Sequence, residues 1–319
     1  MEHRTKMIEK DKRYLVTGGY GFLAKKLIDR LLELECQVTA VCRNIYKAQE
    51  LYTSYEGKVE VVSGDLLSKE TFDKLKGGTF EVPTAPPSHL EGETFKSTET
   101  VSRKISGIFH LAAMAKVNHC EMMPLECIKS NVISTINILD YSYKEEVDFC
   151  IGTSTFAADK ATGCYGGSKL LMEKLFGEFS GKNQNTKYGV LRFGPLLYSP
   201  GSVLCNWKDA LESGEEILLT APEATRKFIS PDSVIDYMIN FLVDLGTAED
   251  LQAYFGCEGP GVKELDVKST RLQDLLDAFI QKYGNEDTKF KVTGLKEGEQ
   301  LESGDSSDLR TIDEIKEMI

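Results

Sequence analysis

Through the first half of the chain, short apolar runs alternate with amphipathic stretches, and this rhythm constrains the fold more than any other feature. Residues 14–17, 38–42, 59–62, 108–111, 147–152 and 188–192 have the length and the β-branched or aromatic content of buried strands. Between the first two lies 24–34, with Leu27, Ile28, Leu31, Leu32 and Leu34 at helical spacing. Stretches 124–143 and 166–179 repeat that spacing between later strands. Such alternation predicts βαβ units and a parallel α/β sheet covered on both faces. Residues 77–104 break the rhythm. They carry Pro83, Pro86 and Pro87 among many Ser, Thr and Glu, and are expected to be a mobile surface insertion without periodicity. Beyond residue 195 the pattern loosens into helices at 203–213, 233–245 and 272–283 with short strands between them.

Thr17-Gly18-Gly19-Tyr20-Gly21-Phe22-Leu23-Ala24 ends the first strand and opens the first helix. Gly18, Gly21 and Ala24 fit a G-x-x-G-x-x-[GA] spacing. The first glycine permits a tight turn, and the second lets backbone N–H groups approach a pyrophosphate at a helix N-terminus. The expected architecture is therefore a Rossmann-type doubly wound parallel sheet over residues 1–195. A smaller, mainly substrate-binding lobe follows over 196–319. The second strand ends in Cys42-Arg43-Asn44 instead of an acid. A carboxylate there would bind a ribose diol, whereas Arg43 favours the 2′-phosphate of NADP(H). Asp65 in Ser63-Gly64-Asp65-Leu66 is placed to touch an adenine, and small residues in His110-Leu111-Ala112-Ala113 suit close approach of the cofactor.

Tyr165-Gly166-Gly167-Ser168-Lys169 is a Tyr-x-x-x-Lys, which puts phenol and ammonium on one helix face a turn apart. The expectation is a phenol whose pKa the lysine lowers, making it a usable base, with the same lysine holding the nicotinamide ribose. The preceding strand ends Thr153-Ser154-Thr155, whose hydroxyls are suited to polarise a sugar oxygen. Arg192 and Arg226 offer bidentate donors for a substrate diphosphate. Trp207 is either a stacking surface for a ligand's ring or a core aromatic.

A formal net charge of −12 argues against a nucleic-acid partner, because phosphate neutralisation needs a basic face. The eight cysteines include no CxxC pair and no His/Cys cluster at zinc spacing, so they read as reduced, buried thiols of a cytoplasmic protein with no metal. Residues 1–12 are charged, unlike a signal peptide, and no apolar run approaches the ~18 residues of a membrane span.

The segments TGGYGF, HLAA, YGGSK and LRFGP together resemble the extended short-chain dehydrogenase/reductase superfamily. Further segments, including Glu121-x-x-Pro124-Leu125-Glu126, Gly201-Ser202-Val203, Thr220-x-Pro222-Glu223-x-Thr225-Arg226 and Thr293-Gly294-Leu295-Lys296-Glu297-Gly298-Glu299, are similar to the inverting UDP-N-acetylglucosamine 4,6-dehydratases of pseudaminic acid-type pathways. The resemblance implies NADP(H), a UDP-sugar substrate and a homo-oligomer. It adds Phe22, Leu23, Asn44, Leu66, Asn131, Thr153, Phe193 and Leu196 as cofactor contacts. For the substrate it adds Lys116, Asn118, Val203 and Glu299, and it supports Arg226 at the diphosphate.

In those enzymes a Ser-Thr-Asp-Lys segment precedes the tyrosine. Hydride leaves C4, the lysine removes the C5 proton, the aspartate protonates the departing C6 hydroxyl, and hydride returns at C6. Ser154 and Thr155 match this segment, but Phe156 and Ala157 follow, and neither transfers a proton. Asp159 and Lys160 arrive too late by three residues. Two readings follow: a dehydratase that delivers Asp159 and Lys160 by a rearranged loop, or a reductase or epimerase that keeps only Thr155, Tyr165 and Lys169. A non-catalytic cofactor-binding protein is the third.

Overall fold

The computed structural model describes residues 8–55, 57–76, 79–83, 98–102, 104–159, 161–182, 185–247, 262–295, 301–303 and 308–319. Its centre is a seven-stranded sheet. In chain order the strands are β1 (Arg13–Thr17), β2 (Gln37–Cys42), β3 (Val59–Ser63), β6 (Ile105–His110), β7 (Phe149–Thr155), β8 (Lys187–Phe193) and β11 (Val262–Glu264), lying side by side as β3-β2-β1-β6-β7-β8-β11. Every pairing is parallel. The order reverses between β1 and β6, and the crevice at that point opens at the carboxyl ends of the strands.

Strand alternation decides which side chain meets which layer. Tyr14, Val16, Val38, Ala40, Phe109, Phe149, Ile151 and Leu191 face one buried cluster. That cluster includes Leu27, Ile28 and Leu31 of α1 (Phe22–Glu33) and Val234, Ile235 and Met238 of α9 (Pro231–Thr247). Their neighbours Leu15, Val41, Ile108, Cys150 and Val190 point the other way. There they meet Ile138 and Leu139 of α6 (Ser134–Lys144) and Met172 and Phe176 of α7 (Cys164–Lys182). Successive residues thus serve opposite faces of one sheet, which is why the strands read as nearly continuous apolar runs. At Gly107 and Gly152 a Cβ would strike the rings of Phe149 and Phe176, so these glycines admit aromatic packing against the sheet.

Two features depart from expectation. The flanks of the 77–104 insertion form an antiparallel ribbon, β4 (Thr79–Pro83) with β5 (Thr98–Ser102), rather than irregular chain; residues 84–97 lie outside the described residues. The seventh strand, Val262–Glu264, has one apolar residue among three and no sequence signal of its own, yet it closes the β8 edge. It and α9 come from the chain beyond residue 195 but pack with the nucleotide-fold sheet.

A separate apolar cluster builds the smaller lobe from α8 (Val203–Ser213), β9 (Ile217–Leu219), helix Leu272–Tyr283 and helix Ile312–Met318. Trp207 belongs here. It is 1% exposed, donates from Nε1 to the Leu218 carbonyl at 2.9 Å and meets Phe279 edge-on, so it is a core aromatic and not a uracil platform. Among the described residues no helix is long and apolar enough to cross a membrane, and no group of three or more His, Cys, Asp or Glu side chains is arranged for a metal ion.

Candidate active site

The glycine turn lies at the switch point. Gly18 has φ +67, and a Cβ there would come within 2.9 Å of the Ala112 Cα. Gly21 donates its N–H to the Gly18 carbonyl at 2.7 Å and stands at the N-cap of α1 with no side-chain cap. The first amides of this helix are thus free for an anion, with the helix dipole behind them. Phe22 and Leu23, half-buried, begin the helix.

Arg43 follows β2, is exposed, and makes no ion pair among the described residues. Asn44 caps helix α2 (Ile45–Tyr52), its side chain accepting from the Lys47 N–H at 3.2 Å. Asp65 is exposed beyond β3 and accepts from the Leu67 N–H at 2.9 Å, while the side chain of Leu66 turns into the core. The glycine turn and the small residues after β6 fit the diphosphate of a nicotinamide dinucleotide.

A buried chain of hydrogen bonds ties the glycine turn to the next helix. The Thr17 hydroxyl oxygen accepts from the Leu111 and Ala112 N–H groups, both at 3.1 Å. Its own hydrogen is therefore directed at His110 Nδ1, 2.9 Å away. That assigns the His110 proton to Nε2, which donates to the Thr135 hydroxyl at 3.0 Å. Thr135 donates in turn to the Asn131 carbonyl at 2.7 Å. Burial, with Lys169 nearby, pushes the His110 pKa down to about 3, so the ring is neutral, as this chain of donors requires. Asn131 sits in a π-helical turn, Lys129–Ile133, and its side chain holds both the N–H and the C=O of Met114, at 2.7 and 3.1 Å. It also donates to the Ser168 hydroxyl at 3.0 Å. A π turn sets one side chain out of helical register, a feature that recurs at functional sites.

Tyr165 and Lys169 occupy the first turns of α7, facing the end of β7. Lys169 is 4% exposed and donates from Nζ to the Thr153 carbonyl at 2.9 Å. The Tyr165 phenol lies beside Thr155, whose hydroxyl accepts from the Ala157 N–H at 3.3 Å. The expected electrostatics are corrected here. Burial pushes the Tyr165 phenol up to about 12, only partly offset by Thr155, and burial pushes the Lys169 ammonium down to about 8. Desolvation, which penalises the charged form of each, outweighs their mutual influence.

Among the expected substrate ligands, one is already committed to carboxylates. Arg192 is not available to a diphosphate. Its guanidinium binds Glu173 through Nε and Nη2 at 2.7 and 2.6 Å, Glu264 at 2.7 Å, and Asp159 at 3.5 Å. Three carboxylates around one cation repel an anionic ligand. The same ion pair holds Asp159, 61% exposed, towards Arg192. Arg226 donates from Nη1 to the Thr225 and Leu301 carbonyls at 2.8 and 3.1 Å. Lys116 and Asn118 are exposed at the start of helix α4 (Val117–Met122), and half-buried Val203 opens α8. Phe193 and Leu196 pack at the end of β8. Lys160 and Glu299 lie outside the described residues.

Three further side chains border Thr155, Tyr165 and Lys169 without having been assigned a role by the sequence. Glu121 of α4 caps α7, accepting from the N–H groups of Cys164 and Tyr165 at 3.0 and 3.2 Å. Glu173 stands one turn beyond Lys169. Lys227 places its Nζ 5.0 Å from the Phe156 ring centroid, just past Thr155.

A glycine-turn dinucleotide fold with tyrosine and lysine on the helix after the fifth strand is the organisation of the extended short-chain dehydrogenase/reductase superfamily, as the resemblance implied. Within it, the chain belongs to the polysaccharide biosynthesis protein family, whose model matches residues 91–308. It is 30% identical over 304 residues to an uncharacterized membrane protein of Methanocaldococcus jannaschii, covering 92% of this chain and 79% of that one. With the inverting UDP-N-acetylglucosamine 4,6-dehydratase of Campylobacter jejuni it shares 29% identity over 297 residues, 91% of this chain and 76% of that one. Among solved structures, a UDP-N-acetylglucosamine 4-epimerase from Methanobrevibacter ruminantium in complex with UDP-N-acetylmuramic acid has the same fold. The TM-score is 0.69 at 18% identity, with 97% of each chain covered.

Proposed function

We propose that this chain is an NADP(H)-dependent enzyme acting on a UDP-linked N-acetylhexosamine, and that it performs hydride chemistry at a sugar hydroxyl as an epimerase or reductase. The observation that carries the reading is the trio at the head of α7: Thr155 beside the Tyr165 phenol, with buried Lys169 one turn on. NADP(H) supplies hydride acceptance and donation when bound. The uncapped amides of α1 would hold its diphosphate, Arg43 its 2′-phosphate, and Lys169 its nicotinamide ribose. Tyr165 Oη exchanges a proton with the sugar hydroxyl, and Thr155 Oγ1 orients that hydroxyl. An ammonium of lowered pKa beside a phenol of raised pKa favours a concerted exchange over a standing phenolate. The lobe at 196–319 supplies the sugar-nucleotide side of the cleft.

Elimination of water from C6 would need an acid next to Thr155. Phe156 and Ala157 offer none, and Asp159 is turned to Arg192. One contact favours dehydration as a second reading. Lys227 brings an amine over Phe156, next to the position where the resembling enzymes keep their acid and base.

Incubation with UDP-N-acetylglucosamine, followed by mass spectrometry, separates these. An isobaric product, or NADPH consumption with the 4-keto sugar, supports the first reading. Loss of one water, abolished by Asp159→Ala or Lys227→Ala, supports the second. Dinucleotide binding with no turnover of either sugar would leave only a non-catalytic role.

A further inference from the structure

Tyr165, Lys169 and Glu173 succeed one another at four-residue intervals along one face of α7. Lysine followed by glutamate at i+4, both buried at 4% and 3% exposure, would ordinarily close into an ion pair. It does not. Lys169 turns to the Thr153 carbonyl and lies 3.9 Å from the Met172 sulfur, while both Glu173 oxygens are taken by the Nε and Nη2 of Arg192. Arg192 is itself fixed on β8, paired in register with Ser154 of β7 and Glu264 of β11, and its remaining face is held by Glu264 and Asp159.

We propose that Arg192 is a positioning residue: its bidentate grip keeps the Glu173 carboxylate off the Lys169 ammonium and leaves that amine free for a ligand's ribose hydroxyls. The inference rests on the reading that Lys169 serves the dinucleotide. The charged and titratable groups around Lys169 are few. Tyr165 and Glu173 share its helix, neutral His110 comes from β6, and the thiols of Cys120 and Cys127 come from α4 and from helix α5 (Pro124–Ile128). Glu173 is the carboxylate among them. Were its partner removed, Glu173 would be left one turn from Lys169, whose charge it already influences, and an opposite charge stabilises the protonated amine.

Lysine-selective 13C NMR of the full chain, without cofactor, reads the Lys169 Cε shift against pH. In the wild type it should titrate near 8. Arg192→Gln should raise that midpoint by about one unit or more, and Glu173→Gln/Arg192→Gln should return it to the wild-type value. NADPH affinity, measured in parallel by fluorescence, should fall about tenfold in the single variant and recover in the double. Should Arg192→Gln fail to fold, Arg192→Lys keeps the charge but loses the two-pronged grip, and is expected to raise the midpoint in the same direction. A folded Arg192→Gln or Arg192→Lys with an unmoved Lys169 midpoint would overturn the proposal. A wild type that binds no NADPH would instead count against the cofactor reading, with the titration still deciding the role of Arg192.

Discussion

The Glu121 carboxylate reaches across 44 residues of sequence to accept the backbone N–H of Tyr165 at 3.2 Å, while its other oxygen takes the N–H of Cys164 at 3.0 Å. One side chain thereby satisfies two of the orphan donors at the head of α7 and sets its charge against the positive end of the helix dipole. Gly163 leaves the room, since a Cβ there would come within 2.6 Å of Glu121 Oε1. Glu121→Ala should cost about 1–2 kcal/mol in urea unfolding and speed amide exchange at Cys164 and Tyr165. Glu121→Gln, which keeps one acceptor, should lose less. Equal stability of all three proteins would show that the cap contributes nothing.

His110 makes a pH prediction. Its pKa is pushed from 6.5 to about 3 in the folded chain, chiefly by burial. Below 6.5 the unfolded chain therefore binds a proton that the folded chain refuses. Stability contributed by the neutral ring is complete above 6.5 and is lost as pH falls from there towards about 3. The expected slope is about 1.4 kcal/mol per pH unit inside that window. Urea unfolding at successive pH values should show it, and His110→Gln, which cannot titrate, should lack that component. A His110→Gln profile parallel to the wild type would remove His110 as its source.

How much of this is legible in the sequence depends on the range of each interaction. The Gly18 turn and the Tyr165–Lys169 pair are local patterns, set by a positive φ and by helix pitch, and both stand where the spacing puts them. The parallel sheet follows from apolar runs that serve two buried faces. Strand β11 has too few apolar residues to register. The cap from Glu121 and the grip of Arg192 on Glu173 are pairings between distant segments, and no local spacing encodes a partner on another element. For the same reason Arg192, read alone, looks like an anion ligand. The Trp207 ambiguity has the same origin, because composition does not say which aromatic the lobe buries.

Tyr165→Phe removes one oxygen from a half-buried ring while leaving its packing in place. Melting temperature and NADPH affinity should stay close to wild type. Turnover of the sugar nucleotide should fall about 10²- to 10⁴-fold, the usual contribution of a positioned proton donor. Thr155→Val, which deletes the neighbouring hydroxyl that partly offsets the raised phenol pKa, should shift the alkaline limb of the pH–rate profile upward. Steady-state kinetics across pH test both, and turnover undiminished in Tyr165→Phe would remove the phenol from the chemistry.

The proposed preference for NADP(H) rests on Arg43. It is exposed and engages no carboxylate among the described residues, so its replacement should leave folding untouched. An Arg–phosphate contact is charge-assisted and forked, whereas a ribose diol offers the guanidinium no charge to meet. Arg43→Ala should therefore weaken NADPH binding by about tenfold to a hundredfold and leave NADH binding nearly unchanged. Arg43→Asp should go further and invert the preference, since a carboxylate at the end of β2 accepts the two ribose hydroxyls and repels a 2′-phosphate. Fluorescence titration with each dinucleotide gives both ratios. The assignment to NADP(H) fails if the wild type binds NADH as tightly as NADPH, or if neither substitution changes their ratio.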